Sequence, residues 1–225
     1  MMDMLPLAQP TLLCGNRAVI EAFSLDTAHH FGDALASQAR LRYRVFVLDR
    51  GLRHSFFRDM EYDEFDTPAA VYLVWRDPHS IVRGLIRLLP TSMPYMLKQY
   101  WPFLCTERDL PATDEVWEAT RICVDRTFDP RSRCRIFPEL LCAVQEFALM
   151  NDIHAVIGVT RRHLMTHFIR SGIQWLGEPA EIEGQLEAAL WVPTEHIRPT
   201  EHCEKYGVVR PVLSLEPLAR NRAAA

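Results

Sequence analysis

The sequence predicts one α/β domain, a mixed and mostly antiparallel sheet flanked by helices on both faces. Three observations carry that expectation. Two apolar runs, 69–76 and 81–89, are joined by Asp77-Pro78-His79-Ser80, the composition of a tight hairpin turn. Beyond residue 115, strand-like and helix-like runs alternate, as in βα units. A chain of 225 residues that is 48% hydrophobic has enough apolar material for one sizeable core. Residues 1–225 are therefore read as one domain, with a frayed tail at 219–225.

Residues 18–23 (Ala-Val-Ile-Glu-Ala-Phe) read as a first strand. Residues 27–49 read as one helix, because Phe31, Leu35, Ala39 and Phe46 recur on one face. Arg42 falls on that same stripe, an unexpected place for a charge. Gly51 supplies the stop. Residues 50–67 are charged, aromatic and aperiodic, and read as a long ordered loop of the kind that is often functional. The hairpin comes next. Pro90, Pro94 and Pro102 then leave room for one short helix around Tyr95–Tyr100. Residues 115–124 form the strongest strand. After a loop holding Arg126, Arg131, Arg133 and Arg135, residues 137–151 read as a helix. Its inward face is Phe137, Leu140, Leu141, Val144, Phe147 and Ala148. A strand at 154–160, a helix at 161–171 ended by Gly172, strands at 173–177 and 187–192, and a short helix within 194–206 complete the order.

Composition removes several classes of function. Net charge is −4 and no basic stripe occurs, so no nucleic-acid partner is expected. The six cysteines form no CxxC pair and read as reduced thiols of a cytoplasmic protein. Residues 1–14 lack a basic start, and no apolar run approaches the ~20 residues of a membrane span, so neither signal peptide nor membrane association is expected. GxSxG, P-loop and GxGxxG patterns are missing. His163 and His167, at i and i+4, read as surface histidines rather than a metal pair, and no metal is expected.

What remains is a spaced set of charges: Arg42, the acidic segment Glu61-Tyr62-Asp63-Glu64-Phe65-Asp66, Arg87, and Glu118-Ala119-Thr120-Arg121. Carboxylates at that density repel unless cations balance them. Tyr62 and Phe65 imply that the acidic segment packs down, and Arg42 lacks a partner on its own helix. Glu118 and Arg121, three apart in a strand, face opposite sides unless a bulge brings them together. A glutamate in a central strand has its pKa raised by desolvation, which suits a general base. The arginine-rich turn at 126–135, ahead of a helix N-terminus, has the makings of an anion site, with a solvated basic loop as the equal alternative.

Together these residues resemble the acyl-homoserine-lactone synthase (autoinducer synthase) family, from Arg42 to Arg121 and more loosely to Gly172. Arg42 and Phe46 match the arginine and phenylalanine of the family's first helix, and Glu61, Asp63 and Asp66 its E-x-D-x-x-D loop. Arg87-Leu88-Leu89-Pro90-Thr91 and Pro94-Tyr95-Met96-Leu97 match its R-L-L-P-T and P-x-M-L segments, and Glu118 with Arg121 its E-x-x-R strand. Two positions depart. Leu52 stands where the family usually has tryptophan, and Trp101 where it usually has phenylalanine. Both line one side of the family's pocket.

The resemblance implies a fold similar to GNAT-type N-acyltransferases and two substrates, S-adenosyl-L-methionine and an acyl thioester on acyl carrier protein or coenzyme A. No cofactor beyond these is implied. The expected product is an N-acyl-L-homoserine lactone, a quorum-sensing signal. Glu118 is the expected base, with Asp63 and Asp66 as alternatives. Oxyanion donors are expected from backbone N–H groups where pairing opens beside the third strand. The acidic loop would complement the cationic substrate, and Phe46 and Trp101 would pack on its adenosyl or sulfonium group. The helix at 136–150 and the strand at 155–160 would wall the acyl chain. Thr160 would bond a 3-oxo group or, the preferred reading, its own backbone. Arg131, Arg133, Arg135, Arg161 and Arg162 are candidates for the carrier or its phosphopantetheine. The rival readings are an acyltransferase acting on another amine and a non-catalytic ligand-binding relative.

Overall fold

A computed structural model describes residues 20–52, 55–161, 173–197 and 207–216. Its strands are β1 (Ile20–Phe23), β2 (Phe56–Phe57), β3 (Met60–Glu61), β4 (Val71–Arg76), β5 (Val82–Pro90), β6 (Val116–Val124), β7 (Ala155–Arg161), β8 (Gln174–Trp175), β9 (Ala180–Ile182), β10 (Gln185–Pro193) and β11 (Leu213–Ser214). Its α-helices are α1 (Ala34–Arg42), α2 (Met96–Tyr100) and α3 (Pro130–Met150). One sheet runs β11-β1-β4-β5-β6-β7-β10-β8, with β9 added on β10; β2 and β3 form a separate ribbon. Among the described residues only β1/β11 and β6/β7 pair parallel. The expected mixed, mostly antiparallel sheet is thus observed. One core cluster joins α1 and α2 to one face of the sheet, and a second joins α3 to the other. Among the described residues no helix is long and apolar enough to cross a membrane.

The expected helix over 27–49 is divided. A 3-10 turn (Ala28–Phe31) stops at Gly32, whose φ of 62° lies in the left-handed region, and α1 starts after it. At Arg42 the α-helix passes directly into a π-helical segment, Tyr43–Asp49, ended at Gly51 (φ 67°). Such π segments concentrate at functional sites, and this one carries Phe46. The loop at 50–67 is not wholly aperiodic, since it contains the β2–β3 ribbon. Asp77 closes the β4–β5 hairpin by accepting from the N–H groups of His79 and Ile81.

Helix α3 begins seven residues before the expected start. Asp129 caps it by accepting from the Ser132 N–H at 2.8 Å, and Pro130 occupies the first turn. Pro138 is an interior residue whose missing N–H takes the helical bond from the carbonyl of Cys134, itself an exposed residue. The buried stripe is Ile136, Leu140, Ala143, Val144 and Phe147, while Phe137 and Leu141 are half-buried. Arg161 belongs to β7; the rest of the expected 161–171 helix, including Arg162, His163 and His167, lies outside the described residues. The 173–177 strand shrinks to β8, and β9 and β11 were not anticipated. Of the helix expected within 194–206, a 3-10 turn at Thr194–His196 is seen, and 198–206 lie outside the described residues. Cys105, Cys123, Cys134 and Cys142 are free thiols; Cys14 and Cys203 lie outside the described residues.

Strand β6 has two irregularities, one on each edge. Leu85 pairs with Cys123 and Arg87 with Thr120, so Ile86 is opposed by two residues, Arg121 and Ile122. Arg121 has φ 51°, the signature of a bulge. The extra residue reverses the alternation. Glu118, Thr120, Arg121 and Cys123 all face the α1 side, while Trp117, Ala119 and Val124 pack toward α3. On its other edge β6 pairs with β7 only from Val116↔Ala155 to Glu118↔Ile157, although the strands run on to Val124 and Arg161. Beyond that point they part as a fork. Gly158 is the first β7 residue past it; a Cβ there would lie 3.0 Å from the Ala119 carbonyl oxygen.

The packing of α3 gives a direct test. A Cβ on Gly84 would sit 2.3 Å from Ile136 Cγ2 and 3.1 Å from Leu140 Cδ1. Gly84→Ala is expected to lower unfolding free energy by about 1–3 kcal/mol through overpacking. An unchanged denaturation midpoint would show that α3 yields more easily than this contact implies.

Candidate active site

Three elements converge on the α1 face. Helix α1 delivers Arg42 at the turn where α becomes π. Strand β5 delivers Arg87, and the β6 bulge turns Arg121 inward. Between them lies the 61–66 segment, anchored because Phe65 is buried in the core. Arg42 grips Asp66 with two parallel bonds of 2.7 and 2.9 Å and donates its Nε to Glu61. Arg87 grips Asp63 at 2.6 and 2.9 Å and reaches Asp66 at 2.8 Å. Arg121 donates to Glu61 at 2.9 Å and lies 2.6 Å from Asp63. Three guanidiniums thus balance three carboxylates, each acid shared by at least two arginines.

Sequence reasoning named all six of these residues but missed their supports. Tyr72 donates its hydroxyl to Asp66 at 2.7 Å, and Arg87 Nε donates to the Thr120 hydroxyl at 3.0 Å. Tyr72, Arg87 and Thr120 are cross-strand partners in one row of the sheet. That signal exists in the sequence only once the strand register is known.

Arg42 and Arg87 are 0% exposed, a costly burial that is tolerated because their hydrogen bonds are filled. Burial opposes the charge on Arg42, but the bonds and fields of Asp66 and then Glu61 outweigh it and hold the guanidinium above its ordinary range. Burial would raise Asp66, yet Arg42 and then Arg87 hold its carboxyl well below the usual range. The acidic loop is therefore no bare cation trap. Its charges are spent on the arginines, and Asp63 and Asp66 keep only about a tenth of their side chains accessible (9% and 10%). Glu64 stands outside the network, exposed and bonded by the Tyr100 hydroxyl.

Glu118 is the exception. It is 1% exposed and forms no ion pair among the described residues. Its two oxygens accept from the N–H groups of Met96 (2.9 Å) and Leu97 (2.7 Å), the first turn of α2. Burial pushes its carboxyl up to about 7, against the opposing pull of those N–H groups and of Arg87 and Arg121. A carboxyl poised at neutrality beside a balanced ion network is equipped to accept a proton from a substrate amine. Glu118 is also the last β6 residue paired with β7, so it marks the closed end of the fork. Sheet pairing opens there, between β6 and β7, and not beside β5, the third strand of the sequence reading, which is paired on both edges.

The other expected site residues divide. Phe46 is buried, with Arg121 over its ring at 5.4 Å and Arg50 at 5.0 Å, so cations of the protein itself occupy it. The Leu52 N–H bonds the Phe46 carbonyl at 3.0 Å, which ties the backbone of the family departure to that of Phe46. Trp101 is half-buried against Tyr100, ring centroids 5.8 Å apart. Thr160 lies on the α3 side of β7 beside Gly158, and its hydroxyl bonds nothing among the described residues, its own backbone included. Arg131, Arg133 and Arg135 are not in a turn but on α3. Arg133 donates to the Arg126 carbonyl and Arg135 to Glu139 at 3.1 Å. At the helix N-terminus the Asp129 carboxylate accepts from the Ser132 N–H, so a carboxylate of the chain itself competes there with any anion. Arg161 pairs with Glu187 at 3.8 Å.

The family model described as autoinducer synthase matches residues 31–200. An acyl-homoserine-lactone synthase of Pseudomonas aeruginosa is 33% identical over 178 residues, 76% of this chain and 85% of that one. An isovaleryl-homoserine lactone synthase of Bradyrhizobium diazoefficiens is 33% identical over 180 residues, 77% and 79% of the two chains. Among solved structures, the CoA-dependent acyl-homoserine lactone synthase BjaI with SAM and isopentyl-CoA superposes with a TM-score of 0.79 at 28% identity, over 90% of this chain and 95% of that one. An acyl-CoA N-acyltransferase from Pseudomonas aeruginosa shares the fold alone, with a TM-score of 0.51 at 14% identity over 70% and 89% of the chains. By the extent of the family match and the identity to its curated relatives, the chain belongs to the autoinducer synthase family.

Proposed function

We propose that the chain is an acyl-homoserine-lactone synthase, acting on S-adenosyl-L-methionine and an acyl thioester of a pantetheine carrier. The observation that supports this most is Glu118: a buried carboxyl near pKa 7, free of ion pairs among the described residues, where two sheet strands part. The substrate amine arrives mostly as an ammonium and must lose a proton before attack. Glu118 takes it, directly or through one water. The amine nitrogen then bonds the thioester carbonyl carbon, and the resulting oxyanion is met by backbone N–H groups at the fork. Collapse expels the thiolate, which carries off the second amine proton as a thiol. In the second step the methionine carboxylate attacks the carbon bearing the sulfonium. The C–S electrons go to sulfur, so one negative and one positive charge disappear and neutral methylthioadenosine leaves. That step needs no proton.

In this reading Arg42, Arg87 and Arg121 hold Glu61, Asp63 and Asp66 as a fixed wall, and the wall orients the amino-acid end of the substrate. A preorganised, charge-balanced wall does not reorganise as charge moves. Phe46, Leu52 and Trp101 shape the neighbouring apolar side, and α3 with β7 walls the acyl chain. Whether the donor is acyl carrier protein or coenzyme A is a matter for direct assay.

Methylthioadenosine release is expected to require both substrates together, with a lactone of matching mass in the extract. Release with neither dependence, or acylation of another amine without S-adenosylmethionine, would replace this reading. Glu118→Gln is expected to lower kcat by about 10²–10⁴ with S-adenosylmethionine affinity nearly unchanged. The base works deprotonated and its pKa is raised to about 7, so kcat/KM falls as pH drops through 7. The limb should vanish in the residual activity of Glu118→Gln; a surviving limb assigns it to the substrate amine instead. Arg42→Ala leaves Glu61 with Arg121, and Asp66 with Arg87, as sole cationic partner in the network and should cost about 3–5 kcal/mol of stability, read from chemical denaturation.

A further inference from the structure

The charge count of the site leaves one carboxylate over. Arg42, Arg87 and Arg121 balance Glu61, Asp63 and Asp66, so the wall as a whole presents no net charge. Glu118 is committed to the N–H groups of α2 and to the proton. S-adenosyl-L-methionine carries a sulfonium, an ammonium and a carboxylate, and so one net positive charge. A neutral wall orients the amino-acid end of that substrate without answering the surplus. Glu64 lies in the same acidic segment, is exposed, and forms no ion pair among the described residues.

Geometry supplies the second argument. The Tyr100 hydroxyl and, at 3.4 Å, the Gln99 amide nitrogen both donate to Glu64 Oε1. Oε2 accepts nothing among the described residues, so the carboxylate is held by one oxygen and offers the other. The Tyr100 ring is itself fixed, edge-on to the buried Phe65 ring with centroids 5.6 Å apart, and it lies 5.8 Å from Trp101. Glu64 thus stands where the acidic segment meets the aromatic side of the site, one ring away from Trp101. A sulfonium has no N–H to donate, so it is recognised by charge and by aromatic faces. A ring attracts it through its quadrupole and a carboxylate through its charge.

We propose that Glu64 receives the sulfonium charge of S-adenosyl-L-methionine beside Trp101, and makes the site select the charged substrate over ligands that are neutral at sulfur. The inference rests on the reading of the chain as a synthase using that substrate. It bears on product release as well. Ring closure removes the sulfonium charge, so the carboxylate that favours the substrate has no such hold on neutral methylthioadenosine.

The test is equilibrium binding to the full chain, by calorimetry with and without coenzyme A. The two ligands are S-adenosylmethionine and S-adenosylhomocysteine, which lacks the methyl group and its positive charge. The variant is Glu64→Gln, which keeps an acceptor for Tyr100 and removes the carboxylate charge. The wild-type preference for S-adenosylmethionine is expected to shrink by about fivefold in Glu64→Gln. Added salt should narrow the preference in the wild type and leave it unmoved in the variant. Equal weakening of both ligands would reduce Glu64 to a support for Tyr100 and overturn the proposal. So would an unchanged preference, or a wild type that binds the two ligands equally. A wild type that binds no S-adenosylmethionine in either condition would overturn the substrate assignment instead, a different result from binding without charge selection.

Discussion

The structure of the site depends on burying Arg42. A guanidinium with no exposed surface on an apolar helix stripe is untenable alone, and its desolvation must be offset by filled hydrogen bonds. Glu61 and Asp66 fill them, and that requirement fixes where the 61–66 segment lies. Once the segment is fixed, Asp63 needs cations of its own, which come from Arg87 in one strand and Arg121 in the next. The network therefore ties α1, the acidic segment, β5 and β6 into one body. A site built this way has its charges placed before any substrate arrives.

Strand β6 performs two tasks that a regular strand could not combine. Its bulge lets Glu118, Thr120 and Arg121 share a face, at the expense of a left-handed φ for Arg121. Its opposite edge releases β7 after Glu118, giving the base an opening in an otherwise continuous sheet. Both irregularities fall within seven residues, 118–124, so base, bulge and fork are consequences of one short stretch of chain.

Much of the site was legible because its residues violate local expectation. Arg42 interrupts an apolar stripe, carboxylates crowd one segment, and Glu118 with Arg121 have the wrong parity for one face of a strand. Such conflicts mark functional positions, since local rules are broken where something else is gained. The central strands and the β6–α3–β7 crossover were legible from periodicity. What escaped depends on register or on weak local signals. Tyr72 and Thr120 join the network only through cross-strand pairing. The start of α3 lies seven residues before the expected one because the apolar face begins late, whereas the cap is formed by Asp129 and Pro130. β9 and β11, of three and two residues, are too short to carry a period. The fork was expected one strand away because pairing termini leave no mark in the sequence.

Glu118 joins two roles that constrain each other. As a carboxylate it anchors α2 through the N–H groups of Met96 and Leu97, and as a base it must become neutral. A protonated carboxyl accepts these bonds less well, because charge-assisted bonds are about twice as strong as neutral ones. Helix α2 is short, and it reaches back to the network through Met96, whose sulfur lies 3.5 Å from Arg87 and 3.6 Å from Arg121. Proton uptake at Glu118 thus loosens the element that touches the arginine wall. The same N–H groups lower the pKa that burial raises, so the value near 7 is a balance between a buried carboxyl and a helix turn that favours its charge. Removing either contribution moves the base away from neutrality, which makes α2 part of the tuning of the base as well as part of the fold.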